Sequence, residues 1–213
     1  LVIRTVTGAG ASVGATHSQS FEGWFASVPG LHVAVPSSPE DVLGLFRSCR
    51  ELEDPVVFVE HILLYSSRGQ VPDADFKIPL GQAAVKRKGK DVTIIGYSRM
   101  AQVSLAAAEL LSQEGIDAEV VDLRTLRPLD TGTISESVKK THRAVVVEEA
   151  AKFGGFAGEI SSQIQEAAFD YLDQPVRRVA GVETPIPYSI ALEPLAFPNA
   201  NSVAAAVREM VSG

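Results

Sequence analysis

The runs DVTIIGYS (residues 91–98) and RAVVVEE (143–149) constrain the fold more than anything else in the chain. Each holds an unbroken β-branched or aliphatic core without polar alternation, and each is too short for an ordinary helix. Such a strand has apolar neighbours on both faces, as in a parallel sheet covered by helices. Strands are predicted at Leu1–Arg4, Leu31–Val35, Pro55–Glu60, Val92–Tyr97, Ala118–Leu123, Ala144–Val147 and Val176–Ala180. Helical patterns separate most of them, which predicts an α/β architecture.

The helix starting at Pro39 and reaching about Leu52 has Ser38 as its N-cap and proline at its first position, a favoured pairing. Val42, Leu45, Phe46 and Cys49 fall on one face of it. Cys49 is the only cysteine, so no disulfide forms within the chain, and its place on the apolar stripe predicts burial rather than reactivity. A second helix is predicted from Arg99 to Glu114, stopped by Gly115. Thr133-Ile134-Ser135-Glu136 reads as a capping box, with Lys139 and Lys140 at the far end of the same helix. Two further helices are expected from about Gly158 to Tyr171 and from about Ser202 to Met210.

A net charge of −7 argues against a nucleic-acid surface. The densest basic run, Lys86-Arg87-Lys88-Gly89-Lys90, reads as a turn between strands. No stretch approaches the roughly 20 apolar residues that span a bilayer, so no membrane partner is expected. SSRGQVPDADFKIP (66–79) breaks the rhythm of elements and reads as an interdomain connection. The expected organisation is therefore a first part at 1–65, a linker at 66–80 and an α/β domain at 81–213. Leu1-Val2-Ile3 is an apolar strand with no initiator methionine before it, so the chain is expected to begin inside a domain.

GAGASVG (8–14) misses both the dinucleotide fingerprint and the nucleotide P-loop, and is expected to be a flexible loop after a strand. His17 lies just beyond it in GATHSQSFEGWF (14–25). A loop histidine alone favours a hydrogen-bonding role. Against that, Thr16, Ser18, Gln19 and Ser20 offer groups to fix its tautomer, and imidazole titrates where proton transfer at neutral pH needs it. Both readings stand on the residues alone. Glu148 and Glu149 are adjacent on a strand, so they should face opposite ways and cap loop amides near Gly154-Gly155 rather than share a site. Glu60-His61 is expected to make an internal or interface contact. No His/Asp/Glu cluster has metal-ligand spacing, and no G-x-S-x-G elbow exists.

Taken in order, GATHSQSFEGWFASVPGLHVAVPSSPEDVLGLFRSC, DPVVFVEHILLY, EVVDLRTLRPLD, VKKTHRAVVVEE, GGFAGEISSQIQE and DYLDQPVRRVAGVETPIPYS resemble the β subunit of the E1 component of 2-oxo acid dehydrogenase complexes. The resemblance runs from Leu1 to the C-terminus and corresponds to about the C-terminal two-thirds of such a subunit. The H-S-Q string followed by P-G-L is its most specific part.

The resemblance implies a partial thiamine pyrimidine-binding domain followed by a transketolase C-terminal-type α/β domain. It implies thiamine diphosphate and Mg²⁺ held together with an E1 α subunit, and gives His17 the catalytic part of handling protons during decarboxylation and acyl transfer to a lipoyl arm. The glutamate that activates the cofactor in this family would lie upstream of Leu1, so no cofactor-binding residue is assigned and the isolated chain should be inactive. A potassium ion bound by main-chain oxygens would correspond to Leu1, Cys49, Arg50, Leu52 and Asp54, where Leu52 stands in place of a common acidic residue. The implied partners are the E1 α subunit, a second β subunit and the peripheral-subunit-binding domain of an E2 acyltransferase. Pyruvate ranks first as substrate, then acetoin and branched-chain 2-oxo acids. Alternative readings are a non-catalytic module for E2 docking and dimerisation, and a stand-alone enzyme of the transketolase kind. The implied location is cytoplasmic for a bacterial source, and the mitochondrial matrix or plastid stroma for a eukaryotic one.

Overall fold

The buried apolar runs form two sheets in the computed structural model, which describes residues 1–212. The first part holds β1 (Val2–Thr7), α1 (Gly14–His17), α2 (Glu22–Ala26), β2 (His32–Ala34), α3 (Pro39–Cys49) and β3 (Val56–His61). The second holds β4 (Ala84–Arg87), β5 (Val92–Gly96), α4 (Arg99–Ser112), β6 (Ala118–Asp122), β7 (Thr125–Arg127) and α5 (Thr131–Thr141). It continues with β8 (Ala144–Ala151), α6 (Ala157–Ala168), β9 (Arg177–Gly181) and α7 (Ala200–Ser212), with a 3₁₀ turn at Glu193–Ala196 before the last helix.

One sheet runs β1-β3-β2-β7, with Val56 opposite both Val2 and His32 in parallel register. The other runs β4-β6-β5-β8-β9 and is parallel except for β4. All seven predicted strands are present. β4 and β7 were not expected, and β7 leaves its own half to pair antiparallel with β2. The Lys86–Lys90 turn does join two strands, but β6 lies between them. Every residue of β3, β5 and β6 is buried, as the absence of alternation requires.

Helix α3 starts as predicted: Ser38 Oγ accepts from Asp41 N at 3.1 Å, with Pro39 next. Phe46 meets Phe58 edge-on at 5.6 Å, and burial pushes the Cys49 thiol up to about 11. The expected capping box at Thr133–Glu136 does not form. Asp130 caps α5 instead, its carboxylate accepting from Thr133 N at 3.0 Å, so the helix begins three residues earlier. Residues 66–80 connect the halves without standing clear of them, because Phe76, Ile78 and Leu80 pack under α3 with Leu45 and Phe58. A single core cluster joins Val33 and Val59 of the first sheet to Ile95, Leu123 and Ile160 of the second half. Among the described residues no helix is long and apolar enough to cross a membrane.

Candidate functional site at the seam between the sheets

Segments leaving the carboxyl ends of β1, β2 and β3 meet those leaving β5, β6 and β8. Ala9 and His61 reach Glu149, and Ser37 reaches Asp122. Ligands of α/β folds gather at such strand ends. Gly8–Gly14 crosses this seam. Gly8 has φ +94°, and a β-carbon there would lie 2.1 Å from His61 Nε2. Gly14 has φ +64°, and its β-carbon would fall 2.3 Å from the Tyr188 ring. Only glycine meets both demands.

The loop is pinned rather than flexible, contrary to the sequence expectation. Ala9 N donates to Glu149 Oε1 at 2.8 Å, while Gly10 N and Ser12 N donate to Glu193 Oε1 at 3.0 and 3.1 Å. Amides a phosphate would use are thus taken by the chain's own carboxylates. Among the described residues no group of His, Cys, Asp and Glu is arranged to hold a metal ion.

His17 closes α1 with its side chain exposed. Its neighbours do not orient the ring as expected. The Thr16 hydroxyl lies 3.1 Å from the Tyr188 hydroxyl, Gln19 Nε2 donates to Ala15 O, and Ser18 Oγ is buried without a partner. Gln19 and Ser20, next along the chain, line a cavity of about 180 Å³ with Trp24 and Tyr97.

Beneath the loop lies a cluster of acids in which Glu149, singled out from the sequence, is joined by Glu22, which was not. Glu149 Oε2 sits 2.9 Å from His61 Nε2 and 3.5 Å from Arg99 Nη1. Glu22 Oε2 accepts from Thr7 Oγ1 at 3.3 Å. Glu148 points the other way, as expected of adjacent strand residues, and accepts from Ala157 N at 3.0 Å at the start of α6. Burial pushes the Glu148 carboxyl up to about 7. Burial, with the Glu149 charge nearby, does the same to Glu22. A second knot ties Asp41 to Lys86 and Arg124, and places Asp122 beside them.

The acid cluster makes stability depend on pH. In the unfolded chain Glu22 and Glu148 release their protons near 4.5, whereas the folded state holds them to about 7. The folded chain therefore binds more protons in that window, and stability falls as pH rises through it. Each group contributes on the order of 3 kcal/mol that is present below the lower value and lost above the upper one. The thermal midpoint should drop between about pH 5 and pH 8, and Glu148→Gln should flatten that slope. A slope unchanged in Glu148→Gln would mean the buried acid does not titrate there.

Residues 81–203 match the family model described as transketolase, C-terminal domain. The chain belongs to this family. Residues 1–67 match transketolase, pyrimidine binding domain. This transketolase-family chain is 46% identical over 212 residues to pyruvate dehydrogenase E1 component subunit beta-2, mitochondrial, of Oryza sativa subsp. japonica, covering 98% of the chain and 56% of that protein. It is 43% identical over 210 residues to pyruvate dehydrogenase E1 component subunit beta of Rickettsia felis, covering 99% of the chain and 64% of the relative. The chain thus spans little more than half the length of such relatives. Among solved structures it resembles a split gene transketolase described as an inactive beta4 tetramer, with TM-score 0.79 and 27% identity, covering 99% of this chain and 66% of that one.

Proposed function

We propose that this chain is part of the β subunit of the E1 component of a 2-oxo acid dehydrogenase complex, acting on pyruvate ahead of acetoin or branched-chain 2-oxo acids. The observation that carries the reading is 43–47% identity to pyruvate dehydrogenase E1 β subunits along 95–99% of the chain. The reaction is thiamine-dependent oxidative decarboxylation followed by acyl transfer to lipoyl-E2. Thiamine diphosphate and Mg²⁺ belong to a site built with an E1 α subunit, and the bound cofactor supplies the electron sink for decarboxylation.

What this chain contributes is an imidazole. His17 stands exposed at a seam of strand ends, free of hydrogen bonds that would tie it inward, and gives or takes a proton as the acyl group leaves for the lipoyl arm. Trp24 is 70% and Phe153 89% exposed beside the neighbouring cavity. Exposed aromatics of this size support completion of the site by another polypeptide. In this reading residues 1–65, 66–80 and 81–213 are the pyrimidine-binding part, the linker and the C-terminal domain. The remaining partners are a second β subunit and the E2 peripheral-subunit-binding domain, and the compartment follows the source, bacterial cytoplasm or organelle.

The potassium reading rests on the C-terminal end of α3, whose carbonyls carry partial negative charge. The Cys49 carbonyl accepts only a long bond from Leu52 N at 3.4 Å, and the Leu1 carbonyl accepts from Val56 N at 2.8 Å. Each oxygen keeps a lone pair for a cation alongside Arg50, Leu52 and Asp54. A second functional reading is a non-catalytic module for dimerisation and E2 docking; the inactive beta4 tetramer among the similar structures supports its assembly of β chains alone.

One experiment separates them. The chain alone should give no thiamine-dependent decarboxylation of pyruvate, and a full-length β subunit carrying this sequence should do so once joined to its α subunit. Turnover by the chain alone would overturn the two-subunit site. No turnover in the assembled enzyme with pyruvate, acetoin or branched-chain 2-oxo acids would leave the docking module.

A further inference from the structure

The segment leading to His17 is held mainly by side chains from the other half of the molecule. Glu193, on the 3₁₀ turn before α7, lies 181 residues from Ser12 and is 3% exposed. Its carboxylate receives Gly10 N at 3.0 Å, Ser12 N at 3.0–3.1 Å and Ser12 Oγ at 3.0 Å. Ser12 is held at φ 54°, a left-handed conformation that a serine adopts only when its surroundings impose it. Five residues before Glu193, Tyr188 lays its ring against Gly14 and its hydroxyl 3.1 Å from Thr16 Oγ1. The helix so held, α1, has four residues, too few to keep its own geometry.

We propose that Glu193 is the positioning residue for His17: its buried carboxylate fixes the loop from Gly10 to Ser12 and thereby where the imidazole stands, with Tyr188 as the second point of contact. The proposal rests on the reading of His17 as a proton-transfer group. Charge-assisted bonds from amides to a carboxylate are among the stronger ones a loop can make. Without the carboxylate two amides lose their acceptor and Ser12 relaxes from φ 54°, so the helix start swings with it. The C-terminal half then acts in catalysis without touching a reactant. A displacement of about 1 Å in a reacting group is enough to slow a reaction on the order of 10²-fold.

The test uses E193A and E193Q in two settings. In a full-length β subunit carrying this sequence and assembled with its α subunit, E193A should lower kcat for lipoyl acylation by about 10²-fold with KM for the 2-oxo acid unchanged. E193Q, which keeps one acceptor oxygen, should fall between E193A and the parent. In an H17A background E193A should cost nothing more, because the effect passes through the imidazole. An equal loss with and without His17 would overturn the proposal.

In the 213-residue chain itself, amide hydrogen exchange at Gly10 and Ser12 should accelerate in both variants, and the His17 ring resonances should shift. Unchanged exchange and unchanged ring resonances would overturn the proposal whatever the activity shows. If H17A proves as active as the parent, the proton-transfer reading falls, and these spectra still decide whether Glu193 sets the ring. E193Q also guards against misfolding, since it preserves volume and one hydrogen bond.

Discussion

His17→Ala, in a full-length β subunit carrying this sequence and joined to its α subunit, is expected to slow acyl transfer to lipoyl-E2 by about 10²–10⁴-fold, the range for a lost acid–base group. The fold should hardly notice. The ring is exposed at the end of a four-residue helix, so its removal should alter stability by no more than about 0.5 kcal/mol. That separation makes the experiment clean: a rate loss at an unchanged unfolding midpoint is a chemical effect. Decarboxylation read with an artificial electron acceptor should suffer less than lipoyl acylation, since the expected step is the transfer. Undiminished transfer would return His17 to the role of an ordinary loop residue.

The elements visible in advance were those whose signal is local. VTIIG and AVVV are apolar on both faces, and Ser38-Pro39 states a helix start within two residues. β7 carried no such signal, since three residues of mixed polarity become a strand only because β2 offers an edge. The helix start at Asp130 was misread for a related reason. Asp130 and Thr133 are both competent caps, and the choice depends on Asp130 also holding Ala83 N at 2.9 Å across the domain. The H-S-Q string singled out His17 as a candidate, whereas the groups that hold its segment left no such signal. Glu193 sits in LEPLA, a stretch with no motif, and its partners lie 181 to 183 residues away. Buried acids such as Glu22 and Glu148 contradict the usual rule for charged side chains, and only the tertiary contact explains them. A cross-chain network leaves no periodicity to read.

Asp41→Ala is expected to destabilise the chain by about 3–5 kcal/mol, the loss seen when one member of a buried ion pair is removed. Asp41 is fully buried, and its carboxylate takes Arg124 Nε at 2.8 Å, Lys86 Nζ at 3.1 Å and Ser38 Oγ at 2.6 Å. Burial alone would raise its pKa, but the Ser38 hydroxyl, Lys86 and Arg124 outweigh this and hold it below its ordinary value. Asp122 takes the opposite course, pushed up to about 6 by burial and by the Asp41 charge. Removing Asp41 leaves Lys86 and Arg124 partly buried with Asp122 as the nearby acid, 3.7 Å from Lys86. Asp122, relieved of its neighbour's charge, should then ionise more readily and offset part of the loss. Urea unfolding of Asp41→Ala, of Lys86→Met and of the double variant measures the balance. The double should lose less than the sum of the singles by about 1–3 kcal/mol. Additive losses would mean the carboxylate serves only to cap α3. The consequence reaches the seam, because Val35 N bonds Arg124 O at 2.8 Å and Gln102 bonds Ser37 O at 2.9 Å beside this knot. With the ion cluster broken, amide exchange at Val35 should rise ahead of global unfolding. The two sheets would then part first at the edge where β2 and β6 meet.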